Sequence, residues 1–468
     1  MLVVGGGIVG AGVARDAAMR GLKVALIDRH DFAFGTSSRS SRLLHGGLRY
    51  LEQGRLGLVR EASVEKKILR DIAPHLAQPL GFVFPAYRSE GRPLWQLKVG
   101  VKLYDLLCGG RNFQPSHSLD RQQTLAALPG FRPDGLLGAV RYFDALTNDA
   151  RLVLDTLRSA CAHGATVVNH VRFHEAEQGA DEWVCAAEDV LAGSRFPIFS
   201  HAIVNTTGPW AQGLGYSAVK LRLTKGIHLV VDRRLLSFSD AVVFSEGKRI
   251  LFVIPWGERA IIGTTDTDHH GAPEDVVVLP GDVDYVLRAV EETFPDAALK
   301  RDDVICSWAG LRPLIANPDG SPSDISRAHQ ILNPHAGWWD VAGGKLTTYR
   351  LMAEQTVDRI VRHCGRGDIR CRTAEVPLLE REGEARFSGV LPPEFTEDAV
   401  AHFVRNEWAV SLEDVLVRRS GWHYYHTDIN GKAEAAAGWM ARLLAWPAGR
   451  VEQELASYRA GVSRPIGA

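Results

Sequence analysis

The chain has 468 residues, enough for about three domains or one large composite unit with an appendage. Hydrophobic residues make up 46% and charged residues 23%, which excludes collagen-like, disordered and coiled-coil classes. With 54 Lys+Arg against 55 Asp+Glu the net charge is −1, so no whole-protein field gathers nucleic acid and any anion site is local. Met1-Leu2-Val3-Val4 reads as a buried strand entering Gly5-Gly6-Gly7-Ile8-Val9-Gly10, a GxGxxG turn. Residues 11–20 read as a helix closed by Gly21, and Val24-Ala25-Leu26-Ile27 as a second strand ending in Asp28. Each part has a task in dinucleotide binding. Gly5 permits the tight turn, and Gly7 lets backbone N–H groups approach a pyrophosphate at the positive helix end. Gly10 lets the helix pack on the sheet, and Asp28 accepts ribose hydroxyls. The first strand is short: it begins at Met1, or the chain starts upstream.

NAD and FAD both use this turn. After Asp28, however, come Gly35-Thr36-Ser37-Ser38, Ser40-Ser41 and then His45-Gly46-Gly47-Leu48-Arg49-Tyr50. A nicotinamide enzyme continues its βα alternation here. A hydroxyl-rich loop and a second Gly pair suit a long extended cofactor instead. Further on, residues 150–162 read as a helix, and 165–171 and 203–204 as strands. From residue 227 come strand-like runs at 228–231, 250–254 and 260–262, separated by charged or Gly-containing turns, which points to antiparallel pairing.

Gly5 to Asp16, running on to Arg20-Gly21, resembles the N-terminal signature of the FAD-dependent glycerol-3-phosphate dehydrogenases of the aerobic, quinone-linked type. Gly343-Gly344-Lys345-Leu346-Thr347-Thr348-Tyr349-Arg350 resembles their second signature. Between the two, in the family's order, stand Thr36-Ser37-Ser38, His45 to Tyr50, Asp149-Ala150-Arg151 and Thr207-Gly208-Pro209-Trp210. Lys225-Gly226-x-His228, Gly263-Thr264-Thr265-Asp266 and Gly310-Leu311-Arg312-Pro313 complete the series, so the resemblance covers about residues 1–375.

The resemblance implies an α/β fold. An FAD-binding Rossmann-like domain would be assembled from segments near 1–60, 145–215 and 336–362, with a mostly antiparallel substrate domain filling 61–144 and 216–335. A small α-helical C-terminal domain, shorter than usual, would occupy 376–468. By resemblance, Gly5, Gly7, Gly10 and Asp28 hold the ADP half of FAD, and Thr36, Ser37 and Ser38 bond phosphate or ribitol oxygens. His45, Gly46, Gly47 and Leu48 pass close to the flavin, with Gly343 and Gly344 on its other side. Gly208 lets the backbone run beside the cofactor, and Val171 faces adenine. The substrate implied is glycerol 3-phosphate, oxidised to dihydroxyacetone phosphate by hydride transfer from C2 to flavin N5. Arg suits its phosphate because a planar fork donates two parallel bonds. Arg49, Arg312 and Arg327 are the candidates, with Lys345, Tyr50 and Thr265 as further donors. His228, in an otherwise apolar strand, is the first choice of base, and Arg312 stabilises the developing oxyanion.

Residues 92–111 combine a basic pair, Lys98 and Lys102, with Leu94, Leu97, Val101 and Tyr104 along one side of a helix and Trp95 nearby. Such a helix lies in a membrane interface or packs on its own protein. The resemblance favours docking on the inner leaflet and electron transfer to the quinone pool. The alternatives are a soluble oxygen-using oxidase, a flavin amine or amino-acid oxidase of the same fold, or an FAD-binding protein without catalysis. Asp266, Asp268, His269 and His270 read as a solvated turn, and no metal is expected. The six cysteines form no CxxC pair and no zinc spacing, so they are expected reduced. No apolar run approaches the roughly 20 residues that span a bilayer, and no signal peptide is evident. A cytoplasmic protein at the membrane surface, possible as a homodimer, is the expectation. Residues 397–406, 412–419 and 433–444 read as amphipathic helices of the C-terminal part.

Overall fold

The computed structural model describes residues 1–47, 51, 54–88, 91–109, 112–236, 238–246, 249–316, 329–381 and 383–462. Leu2–Val4, Ala25–Ile27 and Ile203–Asn205 are parallel neighbours at the centre of a six-stranded sheet. Thr166–Val168 extends it beside Ala25–Ile27, and Trp338–Gly343 beside Ile203–Asn205. These central strands are apolar because both faces are covered. The period-two alternation sorts their side chains: Val3, Leu26 and Val204 face one core, while Leu2, Val4, Ile27 and Ile203 face the other. The first core lies under the helices Ile8–Met19, Asp149–Ala162 and Tyr349–His363. The second lies under an antiparallel meander of Val171–Gln178, Trp183–Asp189 and Ser194–Ser200.

Two expected boundaries differ. The run 165–171 is two strands, because the chain turns at His170, whose φ is +55°. The strand His329–His335, placed by sequence with the substrate segment, pairs antiparallel with Trp338–Gly343 in the cofactor-side sheet. A second, ten-stranded mixed sheet carries Leu221–Asp232, Arg249–Trp256, Arg259–Gly263, Ala241–Glu246, Gln78–Tyr87 and Leu136–Leu146. Its pairings there are antiparallel except between Ala241–Glu246 and Gln78–Tyr87, which run parallel. Val304–Ile315 lies antiparallel along Leu221–Asp232.

The C-terminal region is helical at Glu397–Asn406, Ile429–Leu444 and Arg450–Val462. The expected helix over 412–419 is a π-helical turn at Asp414–Arg419. This region shares a core with the ten-stranded sheet through Trp256, Trp308, Phe403 and Trp422. A buried ion pair fastens it to the helix Asp149–Ala162. Arg151 donates through Nη1 and Nη2 to Glu407 Oε2 and Oε1, at 2.6 and 2.8 Å. Burial opposes the Glu407 charge, yet Arg151 outweighs it and holds the carboxyl well below its ordinary range. Glu407→Ala leaves Arg151 buried without that partner, and urea unfolding is expected to show a loss of about 3–5 kcal/mol. A loss under about 1 kcal/mol would mean the pair does not join the two regions.

Candidate active site

A cavity of about 400 Å³ opens where the parallel strands end, touched by Val4, Gly5, Ile27 and Asp28. Gly5 sits at φ +108°, in a region that favours glycine. A Cβ at Gly10 would stand 1.9 Å from Gly5 O and 2.6 Å from Thr206 Oγ1, so glycine alone lets the helix close on the turn. The helix Ile8–Met19 begins after Gly7 with no side-chain cap, and Gly7, Ile8 and Val9 line the cavity. Its positive end therefore faces the cavity, the arrangement that holds a pyrophosphate.

Asp28 Oδ2 accepts from Gly6 N at 2.6 Å and Oδ1 from His30 N at 2.8 Å. Burial raises its carboxyl to about 6, against the lowering effect of those two N–H groups. It is placed to accept ribose hydroxyls. Ser37 Oγ accepts Ile8 N–H at 3.1 Å, and Thr36 and Ser37 both line the cavity. Val171 and Phe173 border it beside His30, and Gly208, Gly343, Gly344 and Lys345 border it farther along. Gly343 and Gly344 sit at φ +75° and +79°, which brings backbone against the cavity without strain. An open helix end, a ribose acceptor and two glycine approaches fit an elongated dinucleotide such as FAD.

The other expected cofactor residues stand behind this wall. Ser38 is buried in the loop. His45 N donates to Thr347 Oγ1 at 3.1 Å, and Gly46 N donates to Tyr104 Oη at 3.0 Å. Gly47 takes φ +78°. Leu48, Arg49, Tyr50 and Arg327 lie outside the described residues.

Cofactor loop and substrate-side sheet meet at Thr36, whose Oγ1 donates to Leu311 O at 2.7 Å. The next residue, Arg312, donates through Nη2 to Thr264 Oγ1 at 2.9 Å and Thr265 O at 3.1 Å, and through Nη1 to Asp266 Oδ1 at 3.2 Å. Gly226 on the paired strand makes room, since a Cβ there would stand 2.4 Å from Arg312 Nη2. Thr265 itself is turned inward, its Oγ1 accepting Ile227 N–H at 3.1 Å. It buttresses the strand of His228, where sequence placed it as a substrate donor. Asp268 pairs with Arg222, and the His269 ring bonds Ala272 O, so this turn is held by its own contacts.

His228 is buried, with Nε2 2.8 Å from Ser41 Oγ and its ring stacked on Trp308 at a centroid distance of 5.1 Å. Burial, then the charges of Arg312 and Arg42, push its pKa down to about 3. Sequence reading missed two neighbours. Ser41 was legible only as one more loop hydroxyl, and Arg42 carried no signal at all. Arg42 is buried with its guanidinium carbon 4.4 Å from the Trp256 ring centroid and 5.2 Å from that of Trp308. Aromatic faces stabilise such a cation.

The depressed His228 pKa has a stability consequence. The unfolded chain binds a proton at the ordinary histidine value, near 6.5, whereas the folded chain does not until about pH 3. Stability is thus lost as pH falls below 6.5. His228→Gln removes this group's share, flattening the fall by up to about 1.4 kcal/mol per pH unit between about pH 6 and pH 4. Denaturant unfolding over that range reads it, and an unchanged slope would show that His228 is protonated in the folded protein.

A family model described as FAD dependent oxidoreductase matches residues 1–359. The glycerol-3-phosphate dehydrogenase 2 of Mycobacterium tuberculosis is 34% identical, over 100% of this chain and 88% of its own length. The aerobic glycerol-3-phosphate dehydrogenase of Bacillus subtilis is 38% identical, over 81% of this chain and 70% of its own. Among solved structures, the glycerol-3-phosphate dehydrogenase from Bacillus halodurans complexed with FAD aligns with a TM-score of 0.79 at 27% identity, covering 99% of this chain and 94% of that one.

Proposed function

The chain belongs to the FAD dependent oxidoreductase family, and we propose that it oxidises sn-glycerol 3-phosphate to dihydroxyacetone phosphate. The observation that carries the reading is a single cavity running from the N-terminal end of the helix Ile8–Met19 and Asp28 to Lys345 and Pro313, beside the strand that bears Arg312. Bound FAD supplies the two-electron acceptor for the hydride that leaves C2. Gly5, Gly7, Asp28, Thr36 and Ser37 hold its ADP and ribitol portions, and Gly343 and Gly344 border the opposite wall.

Arg312 and Lys345 take the substrate phosphate, with Arg49, Tyr50 and Arg327 as further donors outside the described residues. The contacts of Arg312 with Thr264 and Thr265 hold its fork in one orientation before substrate arrives. His228 receives the C2 hydroxyl proton. Its neutral ring is in the accepting state throughout the physiological range. Burial is the larger cause of its lowered pKa, and a bound phosphate dianion offsets the Arg312 share. In anaerobic mixing, glycerol 3-phosphate is expected to bleach the flavin absorbance and glycerol is not. Arg312→Ala is expected to raise the KM for glycerol 3-phosphate by about 10- to 100-fold, the worth of a charge-assisted bond pair. A flavin-loaded protein that glycerol 3-phosphate leaves yellow would sink the reading.

The acceptor proposed is the quinone pool, reached at the inner leaflet. No helix among the described residues is long and apolar enough to cross a membrane. The helix Leu94–Leu107 offers a surface instead, though not by the stripe read from sequence. Leu97, Val101 and Tyr104 point into the protein's own core. The opposite side exposes Trp95, Val99 and Leu106 at 68%, 60% and 74%, with Lys98 between them. An aromatic and two aliphatic side chains beside a lysine fit the headgroup boundary of an anionic bilayer. Trp95→Glu is expected to abolish co-sedimentation with anionic vesicles while leaving anaerobic flavin bleaching intact. Equal co-sedimentation of the two proteins would take the membrane surface away from this helix.

A further inference from the structure

We infer that Arg418 and Arg419 of the C-terminal region are cofactor-positioning residues, acting through Asp31 on the loop that walls the adenosine end of the cavity. Asp31 lies three residues beyond Asp28 and is 2% exposed. Arg419 grips it with a fork, Nη1 to Oδ2 at 2.5 Å and Nη2 to Oδ1 at 2.7 Å. Arg418 Nε adds a bond to Oδ2 at 2.5 Å, and Asn169 Nδ2 one to Oδ1 at 3.0 Å. Burial works against the Asp31 charge, and the two guanidiniums outweigh it, holding the carboxyl well below its ordinary range.

The clamp is itself held. Arg418 also donates to Asp414 Oδ1 at 2.6 Å and Glu413 Oε1 at 2.5 Å, and Arg419 Nε donates to Glu407 O at 2.7 Å. Consecutive arginines reach one carboxylate because Asp414–Arg419 is wound as a π-helical turn, a rare geometry that recurs at functional places. On the other side of Asp31 the grip continues. Phe32 packs edge-on to Trp408 of the same C-terminal region, ring centroids 5.3 Å apart. A Cβ on Gly6 would stand 2.4 Å from Phe32 Cδ1, so Phe32 presses directly on the phosphate turn. Phe34 stacks on His30 at 4.1 Å and lies 5.8 Å beneath the Arg418 guanidinium, and both Phe34 and His30 line the cavity.

Residues 29–35 form no helix or strand, so these contacts, with the backbone bond from Ala33 N to Gly6 O at 3.0 Å, hold the loop in place. A loop fixed before the ligand arrives spares the ordering loss on binding. The C-terminal region is thereby a determinant of FAD affinity although none of its described residues lines the cavity. By linkage, bound cofactor must stabilise that region in return.

The inference rests on the cavity's being the FAD site, and the experiment separates the two. FAD is stripped reversibly from the holoenzyme, and its re-binding to apoprotein is followed by flavin fluorescence for wild type and Arg419→Gln. ADP serves as a competing probe of the adenosine end. The expected result is an FAD Kd raised at least about tenfold, with ADP weakened equally, since charge-assisted bonds are lost. At saturating FAD the KM for glycerol 3-phosphate stays within about twofold, because the substrate end is untouched. A folded Arg419→Gln with the wild-type FAD Kd, or one whose KM rises together with its Kd, would overturn the clamp. If Arg419→Gln does not fold, Arg419→Lys carries the test with the same two readings, since it keeps the charge and gives up the fork. Wild-type apoprotein that takes up no FAD would overturn the cofactor reading itself, and the clamp with it.

Discussion

At the start of the helix Ile8–Met19 the N-cap Gly7 offers no side chain, Ser37 Oγ takes Ile8 N–H, and Gly7, Ile8 and Val9 face a cavity, an arrangement that an anion completes. That end can stand there because Gly10 lets the helix lie against the turn within reach of Gly5 O and Thr206 Oγ1, closer than any Cβ allows. The contact fixes helix, turn and strand Leu2–Val4 as one unit. From it follow the other walls. Ile203–Asn205 must lie beside Leu2–Val4 to bring Thr206 to the turn, and Trp338–Gly343 must lie beside Ile203–Asn205 to bring Gly343 and Gly344 opposite.

Buried charges tie distant segments of the molecule together, a cavity loop among them. Asp31 meets Arg418 and Arg419, Arg151 meets Glu407, and Arg350 of the second signature meets Glu65 at 2.6 and 2.8 Å. Lys66 meets Asp144 at 2.7 Å, and Tyr104 joins that pair to Gly46 N. Every one of these joins segments distant in sequence. Apolar packing would bind the same segments with equal strength but less discrimination, since a buried charge tolerates few alternative partners. The cluster at Asp31 holds a loop, whereas Arg350 and Glu65 join two helices and Lys66 and Asp144 a helix and a strand.

Where the strand Leu221–Asp232 meets the loop before Leu43, the protein concentrates positive charge around a buried, neutral histidine. Burial first, then Arg312 and Arg42, depress His228, and the strand of Arg312 meets the loop of Thr36. Together with burial, the larger cause, that charge resists protonation of the ring. Ser41 fixes the orientation of the ring through Nε2.

Much of this was legible in the residues themselves. A strand, GxGxxG, helix and strand closing in Asp28 carry local physics, because glycine spacing and apolar runs act over a few residues. The same holds for Gly343-Gly344, where backbone must approach the cavity. Other motif residues were legible as present but not as to their task. Asp16 and Arg20 pair with each other at 2.7 Å in the core, and Arg151 of the Asp-Ala-Arg block holds Glu407, more than 250 residues away. The helix Leu94–Leu107 shows the limit best, because its one apolar stripe suits a membrane interface or the protein's own core, and tertiary packing of Leu97, Val101 and Tyr104 decides for the core. The clamp on Asp31 was equally out of reach, since neither an aspartate after a strand nor a pair of arginines in a tail names its partner. The sequence by itself determined the dinucleotide turn and the family to which the chain belongs, because those depend on neighbours in the chain. Tertiary structure decided which charges are buried and whom they meet, because desolvation and Coulomb energy depend on distance in space.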